Sequence, residues 1–301
     1  MELYTIEAGK KVRMGGHELE FGKDIGELRS SNELLDDKAA MMQRLKDDGY
    51  LFIRDFHDKE LVKKARMELF EDLSGKGCLK EGTDIADGKC SENSRWGMFG
   101  QDEIKEFKSY LDVVNSPKLL STFGEMFGGE ATTYDFKWLR SVSTGSHTGF
   151  HYDVVYMGRG TLDVYTCWIP LTDVELERGS LMLALGSQKS EKLKETYGKM
   201  DVDRDNVQGW FSDDPFEVMD VTGAEMATAE FGAGDILIFG MFMMHGSLTN
   251  VSDDYRLSSD TRYQLTTDAI DERWVGEKPM GHGGAEVEAV SMKDAREEWE
   301  V

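Results

Sequence analysis

A chain of 301 residues, 40% of them apolar, has the material for one substantial core and lies near the upper size at which a β-rich fold remains one domain. Its 35 basic against 58 acidic residues give a formal charge of −23, a field that repels nucleic acid and anionic membranes and favours a neutral or cationic small molecule, amino-acid-like in character. Cys78, Cys90 and Cys167 are odd in number and widely spaced without a CxxC pair, which argues against a disulfide framework or zinc ribbon. Met1 to Lys11 lacks the apolar core of a signal peptide, no run of about 18 apolar residues occurs, and the terminal Glu-Glu-Trp-Glu-Val is no peroxisomal address, so a cytoplasmic protein is expected.

In chain order, Leu34, Leu35, Ala39, Met42 and Leu45 recur at helical spacing from a cap near Ser31 to Gly49. A short β-type run, Tyr50 to Phe56, follows. A second amphipathic helix then carries Leu61, Val62, Ala65 and Leu69 on one stripe. Residues 74–101 are glycine-rich and aperiodic, the pattern of an active-site flap. Ser116-Pro117, then Lys118 to Phe127, then Gly128-Gly129, predicts a helix with a serine cap, proline at its first position and a glycine stop.

Beyond it β patterns dominate, at Thr132–Val142, Gly149–Met157, Leu162–Leu171, Gly179–Leu185, Gly234–Phe242 and Arg256–Thr266, between glycine-bearing turns. A sandwich or barrel of mainly β structure with flanking helices follows. Glu191 to Lys199 reads as a short helix. Residues 200–230, with Trp210, Phe211 and Phe216 among many acids, read as an insertion that covers the site, and the acidic stretch from 271 to 301 as a tail outside a core of about residues 33–270 in a single domain.

One constellation carries chemistry. On a strand, positions i and i+2 face the same way, so His151 and Asp153 are placed to hold one ion, and His245, at the end of the apolar run Ile236 to Met244, supplies a third ligand. Two imidazoles and a carboxylate occupy one face of an octahedral Fe(II) and leave the other open. Arg256, eleven residues beyond His245, offers a planar fork able to clamp a carboxylate by two parallel charge-assisted hydrogen bonds, unless it pairs instead with Asp253 or Asp254; Arg262 is a competing clamp. Tyr134, Trp138 and Arg140 share a strand face opposite Lys137, and with His147, Thr148 and Tyr156 are candidates to meet substrate. Met241, Met243 and Met244 read as packing around His245. His17, His57 and His282 have no partners suggesting chemistry.

Trp138-Leu-Arg140, Thr148-Gly-Phe-His-Tyr-Asp153, Trp168-Ile-Pro, Gly179-Ser-Leu, Gly186-Ser-Gln, Gly234-Asp-Ile-Leu, His245-Gly-Ser247, Asn250 and Arg256 together resemble the phytanoyl-CoA dioxygenase family of Fe(II)/2-oxoglutarate oxygenases. The resemblance implies a double-stranded β-helix, the cupin-like jelly roll. It implies that His151, Asp153 and His245 bind iron, that Arg256 holds the distal carboxylate of 2-oxoglutarate beside Ser247, that Trp168 packs against this cosubstrate, and that Arg140 meets cosubstrate or substrate. Gln188 stands where the family usually has histidine. The implied reaction consumes O2, releases succinate and CO2 and oxidises an unactivated C–H bond. Because related enzymes replace the carboxylate by Gly or Ala to admit halide, Asp153 favours hydroxylation, desaturation or ring chemistry over halogenation. Two other readings stand beside this one: a cupin-like metal enzyme that needs no 2-oxoglutarate, and a non-catalytic metal-containing binding protein.

Overall fold

The structure is a computed structural model and describes residues 6–283 and 289–301. Its strands are β1 (Lys11–Met14), β2 (His17–Glu20), β3 (Ile25–Glu27), β4 (Tyr50–Ile53), β5 (Gly97–Met98), β6 (Ala131–Thr133), β7 (Trp138–Val142), β8 (Tyr165–Pro170), β9 (Leu181–Leu185), β10 (Glu225–Thr228), β11 (Ile236–Gly240), β12 (His245–Ser247) and β13 (Arg256–Leu265). A larger sheet runs β4-β11-β8-β13-β7-β5, with β6 also on β13, and a smaller one runs β12-β9-β10-β3. The two enclose the interior of a jelly roll.

Alternation along β13 sets up everything that follows. Leu257, Ser259 and Tyr263 point outward to the helices: Ser259 bonds the Tyr110 hydroxyl at 2.7 Å, and Tyr263 stacks on Phe123 at 4.3 Å. Helices Lys38–Asp48, Lys59–Gly75, Lys108–Val114 and Pro117–Phe127 cover this outer face, burying Leu45, Leu69, Val113 and Phe123 against Leu139, Ile169 and Ile238. Three of the four are capped locally, with Asp37, Asp58 and Ser116 accepting backbone N–H groups of the first turn. The opposite face of β13, turned to the interior, carries Arg256, Ser258, Asp260 and Arg262, all buried. An apolar strand would have had no use for that row.

Several elements differ from the sequence reading. The first helix starts at Lys38, because Asp37 caps it after a separate turn at Asn32–Leu34. The run 132–142 breaks into β6 and β7. Gly149–Met157 is not a strand: His151 forms an isolated bridge, and the chain turns at Asp153 into a short helix, Val154–Met157. The insertion is shorter than expected, since Glu225–Thr228 within it is a core strand whose apolar members, Met226 and Ala227, hide among acids. Residues 74–101 are anchored rather than a loose flap, with Cys78, Leu79 and Phe99 buried and β5 paired to β7. The C-terminal stretch is structural as well: Trp274 is fully buried, and helix Met292–Trp299 packs Met292 and Ala295 inward.

His57, outside the site, is buried with its Nε2 lacking a hydrogen-bond partner among the described residues. Burial, with Lys118 nearby, lowers its pKa from the usual 6.5 to about 4. Between those values the unfolded chain binds a proton that the fold refuses, so stability is lost as pH falls through this window, by up to roughly 3 kcal/mol. His57→Leu should flatten that part of the curve of urea-derived stability against pH; parallel curves for the two proteins would refute the assignment.

Candidate metal centre

His151 and His245 face each other across an antiparallel pair closed by two backbone bonds, His151 N–H to the His245 carbonyl at 3.0 Å and the reverse at 3.1 Å. Glycine lets these segments approach, because a Cβ on Gly246 would lie 2.9 Å from the Thr148 carbonyl oxygen. The Nδ1 atoms lie 2.9 Å from the Gly149 carbonyl and 3.0 Å from the Met243 carbonyl, which assigns the Nδ1 protons and leaves both Nε2 lone pairs directed at Asp153. Asp153 Oδ1 is 3.9 Å from His151 Nε2 and 4.0 Å from His245 Nε2. The three ligand atoms all lie within 4.8 Å of one another, and all three residues are buried.

Burial pushes the His151 pKa down to about 3 and lowers that of His245, so both imidazoles are neutral, the form that binds metal. Burial alone would raise Asp153, but the Arg262 guanidinium, the two imidazoles and the Thr166 hydroxyl outweigh it and hold the carboxyl below the usual range. Arg262 Nη2 donates to Asp153 Oδ1 at 2.7 Å and Thr166 donates to Oδ2. Asp260 in turn takes Arg262 Nη1 at 3.0 Å and a bidentate pair from Arg140, Nε at 2.6 Å and Nη2 at 2.9 Å. The chain Asp153–Arg262–Asp260–Arg140 is thus one buried ionic network. Arg262 also lies 4.3 Å over the Trp138 ring.

Arg256 differs from its neighbours on β13. It is 1% exposed, donates through Nη1 to the Gly179 carbonyl, and keeps Nε buried with no hydrogen-bond partner. Among the described residues no carboxylate forms an ion pair with it; Asp254 is taken by Arg178 and Lys89, both at 2.6 Å, and Asp253 by Lys89 at 2.8 Å. Burial and Arg140 lower its pKa to about 9, so near neutrality it remains a charged fork without an anion. Ser258 Oγ on the same face is also buried and unpartnered. Orphaned donors of this kind fit a carboxylate supplied from outside.

The remaining candidates fall into place around this centre. Ser247 Oγ accepts the Thr148 N–H at 3.0 Å, tying the lead-in of the histidine motif to β12. Trp168 faces inward on β8 with its ring 4.9 Å from Phe231. Tyr134 stands beside Arg262, its N–H bonding the Arg262 carbonyl at 3.3 Å and its hydroxyl buried without a partner. Tyr156 meets His151 edge-on at 5.5 Å. His147 sits 3.4 Å from the Asp213 carboxylate and against Trp210, both on the insertion. That insertion lies over the motif through two backbone bonds, Phe150 N–H to the Ser212 carbonyl at 2.8 Å and Phe211 N–H to the Phe150 carbonyl at 2.7 Å. Two of the other histidines do have partners: His282 lies 3.1 Å from Asp203 and packs on Trp274 and Tyr156, and His17 is 3.5 Å from Asp214. Ser258 and Asp260 were missed from sequence, although alternation from Arg256 pointed to both.

A jelly roll with two neutral imidazoles and a carboxylate at its mouth, and an unpaired guanidinium within, is the arrangement of a non-haem iron(II) oxygenase that uses 2-oxoglutarate. The comparisons agree. The profile of the phytanoyl-CoA dioxygenase (PhyH) family matches residues 45–258, and the chain belongs to that family. It is 28% identical over 252 residues, 77% of this chain and 82% of the relative, to a 1-deoxypentalenic acid 11-beta-hydroxylase of Streptomyces arenae, and 27% identical over 247 residues to that of Streptomyces exfoliatus. Among solved structures it is similar to the epimerase SnoN of nogalamycin biosynthesis in complex with Fe3+ and alpha ketoglutarate (TM-score 0.57, 16% identity, 84% of this chain and 96% of that one). It is also similar to EctD from S. alaskensis with 2-oxoglutarate and 5-hydroxyectoine (TM-score 0.55, 15% identity, 96% and 97%). At these identities the structural likenesses establish the fold.

Proposed function

We propose that the chain is a single-domain, cytoplasmic hydroxylase in which His151, Asp153 and His245 hold Fe(II) and Arg256, with Ser258 and Ser247 beside it, receives the distal carboxylate of 2-oxoglutarate. The observation that carries this reading is the coincidence of a neutral three-ligand cluster with a buried, anion-free guanidinium in one interior. Iron with 2-oxoglutarate and O2 supplies the oxidising power to hydroxylate an unactivated C–H bond, with release of succinate and CO2. The protein's part is placement. The carbonyls of Gly149 and Met243 fix the imidazole tautomers, Arg262 and Thr166 fix the carboxylate, and the insertion and Tyr156 keep bulk water from the ligands. The name of the Streptomyces relatives supports hydroxylation as the outcome and a small organic molecule as the substrate. Asp153 disfavours halogenation. Among the described residues no helix is long and apolar enough to cross a membrane.

A cupin-like enzyme that dispenses with 2-oxoglutarate is not favoured, since nothing in that reading needs the unpaired charge of Arg256. The test is anaerobic addition of Fe(II) and 2-oxoglutarate, expected to give a weak visible charge-transfer band. Asp153→Ala and His245→Ala should abolish both the band and succinate release. A band that persists in both variants, or that never forms in the unmodified protein, would overturn the proposal.

A further inference from the structure

The interior face beside the proposed iron site carries Arg140, Arg256 and Arg262 against Asp153 and Asp260, and an imidazole that turns Nδ1 to a carbonyl and gives its Nε2 lone pair to a metal carries no charge. Three positive and two negative groups leave one positive charge. Fe(II) with the 2-oxoglutarate dianion would cancel each other, so the excess survives when both are bound. Its location is legible. Arg262 spends Nη1 on Asp260 and Nη2 on Asp153, with its Nε buried, and Arg256 answers the cosubstrate. Arg140 spends Nε and Nη2 on Asp260, and its Nη1 has no partner among the described residues. Of the three it alone opens outward, with its side chain 21% exposed.

What surrounds that open edge is apolar. Met98 on β5 stands in register with Arg140, so the two share a sheet face, and Met98 is 50% exposed. Trp96, two residues earlier, is 45% exposed and lies edge to face with Trp210 of the insertion at 6.2 Å. Large apolar side chains gathered at a site mouth mark a surface that is covered when its ligand arrives. The two stretches read from sequence as a flap and a covering insertion, 74–101 and 200–230, therefore meet there, each contributing a tryptophan.

We propose that the substrate is a largely apolar monocarboxylate, its carbon body held by Trp96, Met98 and Trp210 and its carboxylate met by the free edge of Arg140. The inference rests on the 2-oxoglutarate reading above for its charge balance. It reverses the expectation from the net charge of −23. Surface acids act through solvent and are screened beyond ~8 Å at physiological ionic strength, whereas the pocket's own buried charges are not. Arg140 would position substrate and takes no part in holding iron.

The experiment uses the full-length protein loaded anaerobically with Fe(II) and 2-oxoglutarate, titrated with four probes by calorimetry and tryptophan fluorescence. These are adamantane-1-carboxylate, its carboxamide, 1-aminoadamantane and acetate. A charge-assisted contact predicts that the carboxylate binds about 10-fold or more tighter than the carboxamide and the amine, while acetate, without an apolar body, does not compete. Arg140→Gln should level carboxylate and carboxamide, the loss falling on the carboxylate. Trp96→Ala and Trp210→Ala should weaken all three adamantyl probes by similar factors. Equal or stronger binding of the amine in the unmodified protein, a measurement that needs no variant to fold, would overturn the proposal, as would an unchanged carboxylate preference in Arg140→Gln. Absence of the visible band before any probe is added would instead refute the iron and 2-oxoglutarate reading, so the two failures are distinguishable.

Discussion

Replacing Arg262 by methionine should destabilise the metal-free protein by about 3–5 kcal/mol, the usual cost of stripping one partner from a buried ion pair. Asp153 and Arg262 are each 1% exposed and 2.7 Å apart, so the carboxylate left behind would have Thr166 and two neutral imidazoles for company and no compensating cation. A divalent ion can then substitute for the lost charge. Saturating Mn(II), an inert surrogate for Fe(II), should accordingly recover more stability in Arg262→Met than it adds to the unmodified protein. Urea unfolding with and without Mn(II) measures both quantities. An apo variant as stable as its parent, or one that the ion fails to rescue more strongly, would show that Arg262 is not the counter-ion of the empty ligand set.

Arg256→Met should do the opposite to the fold. Here the buried guanidinium has a carbonyl and no carboxylate, so methionine, which fills much of the same space, removes a desolvated charge at little loss of contact. Replacing buried ionic groups by apolar ones is often stabilising by about 1–4 kcal/mol, and a gain of that sign is expected in the absence of 2-oxoglutarate. Affinity for 2-oxoglutarate should fall on the order of 10²- to 10³-fold, since a desolvated charge-assisted contact is worth about 2–5 kcal/mol. Anaerobic titration of the visible band reads the second effect and urea unfolding the first. A variant that is both less stable and unchanged in 2-oxoglutarate affinity would assign Arg256 a purely structural role.

The contrast between these two arginines shows what sequence could and could not say. Spacing gathered His151, Asp153 and His245, which the structure brings within 4.8 Å of one another, and singled out Arg256, which it buries without a carboxylate among the described residues. The reason given for His151 and Asp153 was nevertheless wrong in detail. They converge because the chain leaves an isolated bridge and enters a helix at Asp153, a change of direction that i, i+2 counting cannot represent. Arg140 and Arg262 could be named but not assigned, since alternation turns Asp260 inward but which arginine it pairs with is decided by the register of β13 against β7 and β8. The hairpin β1–β2 and strand β3 near the N-terminus were invisible because short strands with exposed charged positions carry no alternation that stands out.

The backbone ladder that joins Phe150 to Ser212 lies one residue from His151. A covering segment stitched to the chain beside a metal ligand cannot swing away without dragging that imidazole with it. Any opening of that segment would therefore be felt at the His151 imidazole.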